Sequence, residues 1–220
     1  FAILSGAVDN YATGFGHNAY FYVRPADGRI LYFPYDLDLY SGSPEDPLVG
    51  NDDLAKLIAS PARARLYYGH LYDIITTAYN RDYLRHFSDQ LGALLPAQDF
   101  AGHLDFAVAR ADWVLNGAPD AVLTRFPPVD FAIETGGGAP LSVTTPTVTL
   151  EGSGWFDVHR VWGPDPSAPL TLTWTTGTSW QATLALACGT NEIELRALDR
   201  CEQPVGSDTL LITRSGSGCP

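Results

Sequence analysis

Polar and apolar positions alternate along residues 18–23 and again along 29–33, with Pro25-Ala26-Asp27-Gly28 between them, which predicts an antiparallel hairpin. From Asn51 the period lengthens to that of helices. Asp52-Asp53-Leu54-Ala55-Lys56-Leu57-Ile58 starts on acidic residues and makes Lys56 a surface lysine at the end of a short helix. Ser60-Pro61 supplies a cap and a first-turn proline for a helix to about Tyr79, with Leu66, Tyr67, His70, Leu71, Ile74, Ile75 and Ala78 as its buried face. Asn80 opens a helix to Leu95, with Tyr83, Leu84, Phe87, Leu91 and Leu94 inward. A third runs from about Ala97 to Asn116, closed by Gly117, with Phe100, Leu104, Phe106, Ala107, Trp113 and Val114 as its apolar content. Beyond Val129 helical spacing gives way to short alternating runs at 142–150, 156–162, 170–174, 181–187, 192–197 and 209–213, punctuated as in a β-sandwich.

This division predicts an α+β chain of two domains, 1–118 and 129–220, joined by a linker at 119–128. Among 220 residues the net charge is −12, which argues against a nucleic-acid partner and suits a basic protein substrate or divalent cations. No apolar run is long enough to cross a membrane, and no basic n-region marks a signal peptide. Phe1 opens in mid-pattern, so the chain reads as cut from something longer. Nothing in the sequence fixes the oligomeric state.

Cys188, Cys201 and Cys219 all fall in the second domain and point to an oxidising compartment. If the strand after Cys188 runs back antiparallel, Cys201 lies a strand length away, whereas the last strand returns Cys219 toward Cys188, the preferred pair. His70, His86 and His103 occupy three different helices without a paired spacing, which argues against zinc. Arg63, Arg65, Arg81 and Arg85 read as solvated charges, and Trp174 and Trp180 as packing rather than carbohydrate platforms.

Candidate chemistry gathers at the first hairpin. Asp9-Asn10 sits in a Gly-rich loop before His17-Asn18, and the apolar run Ile30-Leu31-Tyr32-Phe33 ends on Pro34-Tyr35-Asp36-Leu37-Asp38. Carboxylates closing an apolar strand are costly unless they hold a cation or a partner, although Asp-x-Asp also forms turns and Asn10 could simply bond backbone.

The order Asp-Asn, Gly-rich loop, Asn18-Ala19-Tyr20-Phe21-Tyr22, Asp27-Gly28 turn and Phe33-Pro34-Tyr35-Asp36-Leu37-Asp38 resembles the spore-coat CotH kinase family over about the first half of the chain. Tyr35 stands where that family usually has Trp, and His17 where a second Asn is common. The resemblance implies a reduced kinase-like fold in its C-terminal part, with Asp9 as catalytic base, Asn18 and Asp36 binding the nucleotide's metal, and Asp38 as a supporting carboxylate. It implies Mg²⁺ and ATP as cofactors, Ser/Thr phosphorylation of a protein, and a secreted or cell-surface bacterial location. The run from Trp180 to Ile193 resembles the E–F hairpin of bacterial immunoglobulin-like modules, giving an immunoglobulin-like sandwich as the second domain.

A kinase also needs a cation for the α/β-phosphates. The only lysine is Lys56, so the nucleotide-gripping part is expected upstream, this stretch alone is expected to bind Mg²⁺–ATP weakly or not at all and to be inactive, and apolar residues near Phe1 to Leu4 and along the strand pair are expected to be exposed. The alternative is a non-catalytic adhesion or anchoring protein on a degenerate kinase-like scaffold. A carboxylate-pair hydrolase is a third possibility that nothing in the sequence demands.

Overall fold

The computed structural model describes residues 2–8, 10–14, 18–36, 42–216 and 219. The chain is mixed α+β and divides into two units, Phe1–Ala59 with Tyr67–Arg125, and Ser60–Leu66 with Phe126–Pro220.

In the first unit come α1 (Ala2–Ser5), the hairpin strands β1 (Ala19–Val23) and β2 (Ile30–Pro34), and α2 (Asp52–Leu57). Next is α3 (Pro61–Thr77), whose first turns belong to the second unit, followed by α4 (Arg81–Leu94), α5 (Phe100–Asp112) and α6 (Val122–Arg125). Short polar side chains set the helix starts: Asn51 accepts from the Leu54 amide, Asn80 from Tyr83 and Asp99 from Gly102. The Asp99 cap starts α5 at Phe100 rather than near Ala97, and α5 ends in a wide π-type turn, Trp113–Gly117.

Three expectations of burial fail here. On α3 Tyr68, Gly69, Leu71 and Ile75 are buried in this unit, while Leu66 and His70 are exposed. Tyr68 can be fully enclosed because its hydroxyl donates to Asp120 Oδ2 at 2.8 Å, so burial strands no polar group. On α4 no residue is buried, and Tyr83, Phe87, Leu91 and Leu94 form an exposed apolar stripe. Ala2, Ile3 and Leu4 are buried, whereas the hairpin is exposed as expected, with Tyr20, Phe21, Tyr22, Val23, Ile30 and Phe33 all open to solvent.

Segment 119–128 is folded chain: Ala121 and Val122 are buried in the first unit and Phe126 in the second. Their apolar side chains give the segment a packing role that its Pro and Asp content conceals.

In the second unit β3 (Ala132–Ile133), β4 (Leu141–Val143), β5 (Thr147–Ser153), β6 (Arg160–Trp162), β7 (Thr173–Trp174), β8 (Ser179–Ala185), β9 (Gly189–Leu198) and β10 (Pro204–Arg214) make two four-stranded sheets. Their orders are β3-β5-β8-β7 and β4-β10-β9-β6. Alternate residues of both sheets meet in one core, including Leu150, Trp180, Ala182, Ile193, Leu195, Leu210 and Ile212. Trp180 is fully enclosed, donates Nε1–H to the Ser153 carbonyl at 2.7 Å and stacks on Phe131. Gly152 leaves room for this ring, since a Cβ there would lie 2.2 Å from the Ala132 oxygen and 2.3 Å from the indole.

Two strand expectations change. Residues 142–150 are not one strand: β4 and β5 lie in different sheets, separated at Thr144-Thr145-Pro146, where proline cannot donate to a ladder. β8 and β9 are not a hairpin either, because they belong to opposite sheets. The turn chemistry between them is as expected, with Asn191 accepting from the Ala187 amide and donating to its carbonyl, both at 2.9 Å. Cys188 and Cys219 are joined as a disulfide, and Cys201 is an exposed free thiol.

Candidate functional site

Register fixes the centre of the candidate site. The hairpin pairs Val23 with Ile30 and Ala19 with Pro34, and its tip is closed by Arg24 N–H to the Arg29 carbonyl at 2.8 Å. Gly28 turns there at φ +70°. Asp27 is clasped by Arg24, which holds its carboxyl below the usual carboxylate range, and lies 3.2 Å from Arg29. With the tip pinned, the residues just outside the last pair meet at the open end.

Those residues are Asn18 and Tyr35, with Asp36 one position further out. Tyr35 N–H donates to the Asn18 carbonyl at 3.0 Å, and Asn18 Nδ2 donates to the Asp36 carbonyl at 3.1 Å. Asn18 and Asp36 have left-handed backbones, φ +56° and +52°, a conformation that Asn and Asp adopt more readily than other non-glycine residues. The structure therefore brings Asn18 and Asp36 together at one hairpin end, with Asp36 exposed and the Asn18 amide held through its nitrogen by the Asp36 backbone carbonyl. Asp9 and Asp38, the proposed base and supporting carboxylate, lie outside the described residues.

Around the hairpin, Asn10 is completely buried: Nδ2 donates to the Ala7 carbonyl at 2.6 Å and Oδ1 accepts from Ala12 N–H at 2.9 Å. It caps the short 3-10 turn Tyr11–Thr13, a structural task consistent with a local backbone-bonding role for this asparagine. Tyr11 packs edge-on against Phe21, ring centroids 5.5 Å apart, and its carbonyl accepts from Asn51 Nδ2, joining the hairpin to the α2 cap.

The residue that the sequence reading missed is Arg110. It is almost wholly buried on α5, donating Nε–H to the Ile3 carbonyl at 3.0 Å and Nη1–H to the carbonyls of Pro44 (2.8 Å) and Asp46 (2.5 Å). Burial pushes its pKa down, with Asp46 opposing. One guanidinium thus ties α1 to the chain that follows the Asp36 corner. Beside this junction is a mainly apolar cavity of about 380 Å³ lined by Ser5, Gly6, Gly42, Tyr79, His103 and Phe106. Periodicity alone gives no warning of such an arginine, because its acceptors are carbonyls remote in sequence.

Other cations are engaged elsewhere. Lys56 lies in the last turn of α2, exposed and 3.2 Å from Asp53. Arg81 pairs with Asp105 and Arg85 with Asp89 on the surface. Arg65 overturns its expectation: only 5% exposed, it donates to the carbonyls of Gly154, Trp155 and Gly177 and lies over the Trp174 ring, all within the second unit.

Hard oxygen donors of the Asn18 and Asp36 type suit Mg²⁺. Among the described residues no three His, Cys, Asp or Glu side chains form a metal-holding group. No protein-family model matches the chain, and no curated protein matches it.

Proposed function

We propose that the first unit is the C-terminal part of a CotH-type kinase-like domain that transfers the γ-phosphoryl group of ATP to a Ser or Thr hydroxyl of an extracellular or surface protein, and that the second unit is immunoglobulin-like. The observation that carries the reading is the Asn18–Asp36 contact at the open end of the hairpin, two left-handed residues whose side chains suit a phosphate-bound cation. Sheet orders β3-β5-β8-β7 and β4-β10-β9-β6 support the second part, since they correspond to the ABED and GFC arrangement with an added strand on the latter. The disulfide between Cys188 and Cys219 is compatible with an oxidising location.

In this reaction the substrate hydroxyl oxygen forms a bond to the γ-phosphorus, the bond to the β-phosphate oxygen breaks, and ADP leaves with the electron pair. Asp9 orients the hydroxyl and takes its proton. Asn18, Asp36 and Asp38 would hold Mg²⁺, which supplies charge neutralisation to the phosphates when bound. The Asn18 bond to the Asp36 carbonyl keeps these two residues at one end of the hairpin and so positions them.

The non-catalytic reading, an adhesion or anchoring protein with a degenerate scaffold, is favoured by one observation: the sole lysine is ion-paired on α2 instead of offered to a nucleotide. Incubation of the full protein with radiolabelled ATP, Mg²⁺ and a basic serine-rich acceptor separates the two. Labelling is expected, with a loss of at least about 100-fold in Asp36→Asn, a change that keeps the left-handed backbone while removing the charge. Labelling that survives Asp36→Asn rejects the role given to that residue, and no labelling by the folded protein favours the scaffold.

A further inference from the structure

A second cleft, of about 540 Å³, lies on the outer face of the β4-β10-β9-β6 sheet and is lined by Trp162, Pro166, Arg196, Leu198, Pro204 and Ser207. Strand parity puts it there. Ile193, Leu195 and Ala197 of β9 enter the core, so Glu194, Arg196 and Leu198 face out; Val161 of β6 enters the core, so Arg160 and Trp162 face out. Trp162 pairs with Arg196 and Arg196 with Ser207, making one row across three strands, roughly 10 Å long at the usual strand spacing. Gly206, next to the β10 bulge, adds no side chain to the cleft and must remain glycine because a Cβ would lie 2.7 Å from that of Phe131.

Charge on this face selects the ligand class. The chain carries −12, yet here each cation has its own carboxylate: Arg196 Nε lies 3.7 Å from Glu194, and Arg160 Nη1 lies 2.5 Å from Glu202. Arg160 stands beside Leu198 in the pairing, adjoining the cleft. Paired guanidinium and carboxylate groups leave little net field for an anion or a cation. They do place donors next to acceptors, the pattern a vicinal diol satisfies because each hydroxyl both donates and accepts. The half-buried Trp162 and the leucine and prolines supply an apolar plate for the C–H face of a ring.

We propose that this cleft binds a neutral polysaccharide, with a pyranose ring stacked on Trp162 and hydroxyls read by Arg196, Glu194 and Ser207. The inference is independent of phosphoryl transfer, since every residue it uses belongs to the second unit. Native electrophoresis of the full chain in gels containing soluble β-glucan, xylan or galactomannan tests it, with alginate as the acidic control. At least one neutral gel should retard the protein, and Trp162→Ala should weaken the affinity at least about tenfold, as expected for loss of a stacked ring. Trp162→Tyr should retain most of the binding, and Tyr83→Ala, an exposed change in the first unit, all of it. If Trp162→Ala does not fold, the exposed Arg196→Ala answers in its place with a severalfold loss. Equal migration in every neutral gel, retardation by alginate alone, or retardation unchanged in both variants overturns the proposal. So does Trp162-dependent capture of a proline-rich peptide without any saccharide binding.

Discussion

Replacing Arg65 with methionine removes a buried cation while keeping an apolar stem over Trp174, and the competing terms can be sized. Burial pushes the Arg65 pKa down from the ordinary guanidinium range to about 10, with Asp157 opposing. That depression sets a few kcal/mol, on the order of 1.4 per tenfold change in the protonation equilibrium, against the charged form in the folded protein. Against it stand three hydrogen bonds, to the carbonyls of Gly154 (3.0 Å), Trp155 (2.5 Å) and Gly177 (2.5 Å), each worth about 1.5–3 kcal/mol when one partner is charged. Stacking on the indole at 3.3 Å adds about 2 kcal/mol in a desolvated setting. The favourable terms win, and Arg65→Met, which strands one buried and two part-buried acceptors, should lower stability by roughly 3–5 kcal/mol. Urea unfolding followed by tryptophan fluorescence is a suitable assay, because Trp155, Trp162, Trp174 and Trp180 all lie in the second unit. A variant within about 1 kcal/mol of the parent, or more stable, would refute the reasoning by showing that desolvation outweighs the hydrogen bonds, as it does for many buried ion pairs.

Two further outcomes rest on the same unit. The Cys188–Cys219 bridge closes a loop with a sequence separation of 31, so Cys188→Ser/Cys219→Ser should cost between about 3 and 4 kcal/mol in urea unfolding; a loss under about 1 kcal/mol would exclude a chain-entropy role for the bridge. Burial raises the Asp157 carboxyl above its ordinary value, with Arg65 pulling it partly back. The folded state therefore keeps this proton to higher pH than the unfolded chain, so the contribution is present in acid and lost as pH rises from about 3.9 through the raised folded value. Asp157→Asn should remove that decline, visible as a parent-minus-variant stability difference that falls with pH; a difference that rises instead would reverse the assigned sign.

The parts of this fold legible in the sequence are those set by local chemistry. Asn51 and Asn80 announce their helices because a short side chain must satisfy the first free amides. The meeting of Asn18 and Asp36 is legible because a four-residue tip at 25–28 sets the register of everything before and after it. Arg65 and Arg110 were illegible for the opposite reason. Their acceptors are carbonyls separated from them by 89 to 112 residues in the case of Arg65 and 64 to 107 in that of Arg110, and carbonyls carry no residue-type signal. The α4 stripe shows a different limit, because apolar spacing records that a face is apolar and not that this chain covers it. Trp162 is legible in principle: it shares parity with Arg160 on a strand whose central Val161 is apolar, unlike Trp180, which is core.

The two halves of the candidate site are held by different devices, and this bears on how its variants should be read. Asn18 and Asp36 depend on hairpin register and on each other, with no buried apolar side chain in β1 and none among the described side chains of β2. The junction of α1 with residues 44–46 depends on a guanidinium whose cost of burial is offset by three carbonyls. An exposed hairpin can lose its register at little cost to the rest of the unit, since a two-stranded sheet is marginal by itself. A junction held by a buried charge cannot, because removing one side strands the other. Changes at Asn18 or Asp36 thus probe chemistry with small effects on folding, whereas changes at Arg110 confound the two. That asymmetry is why Asp36→Asn, and not any substitution of the better-buried arginine, is the informative test of phosphoryl transfer.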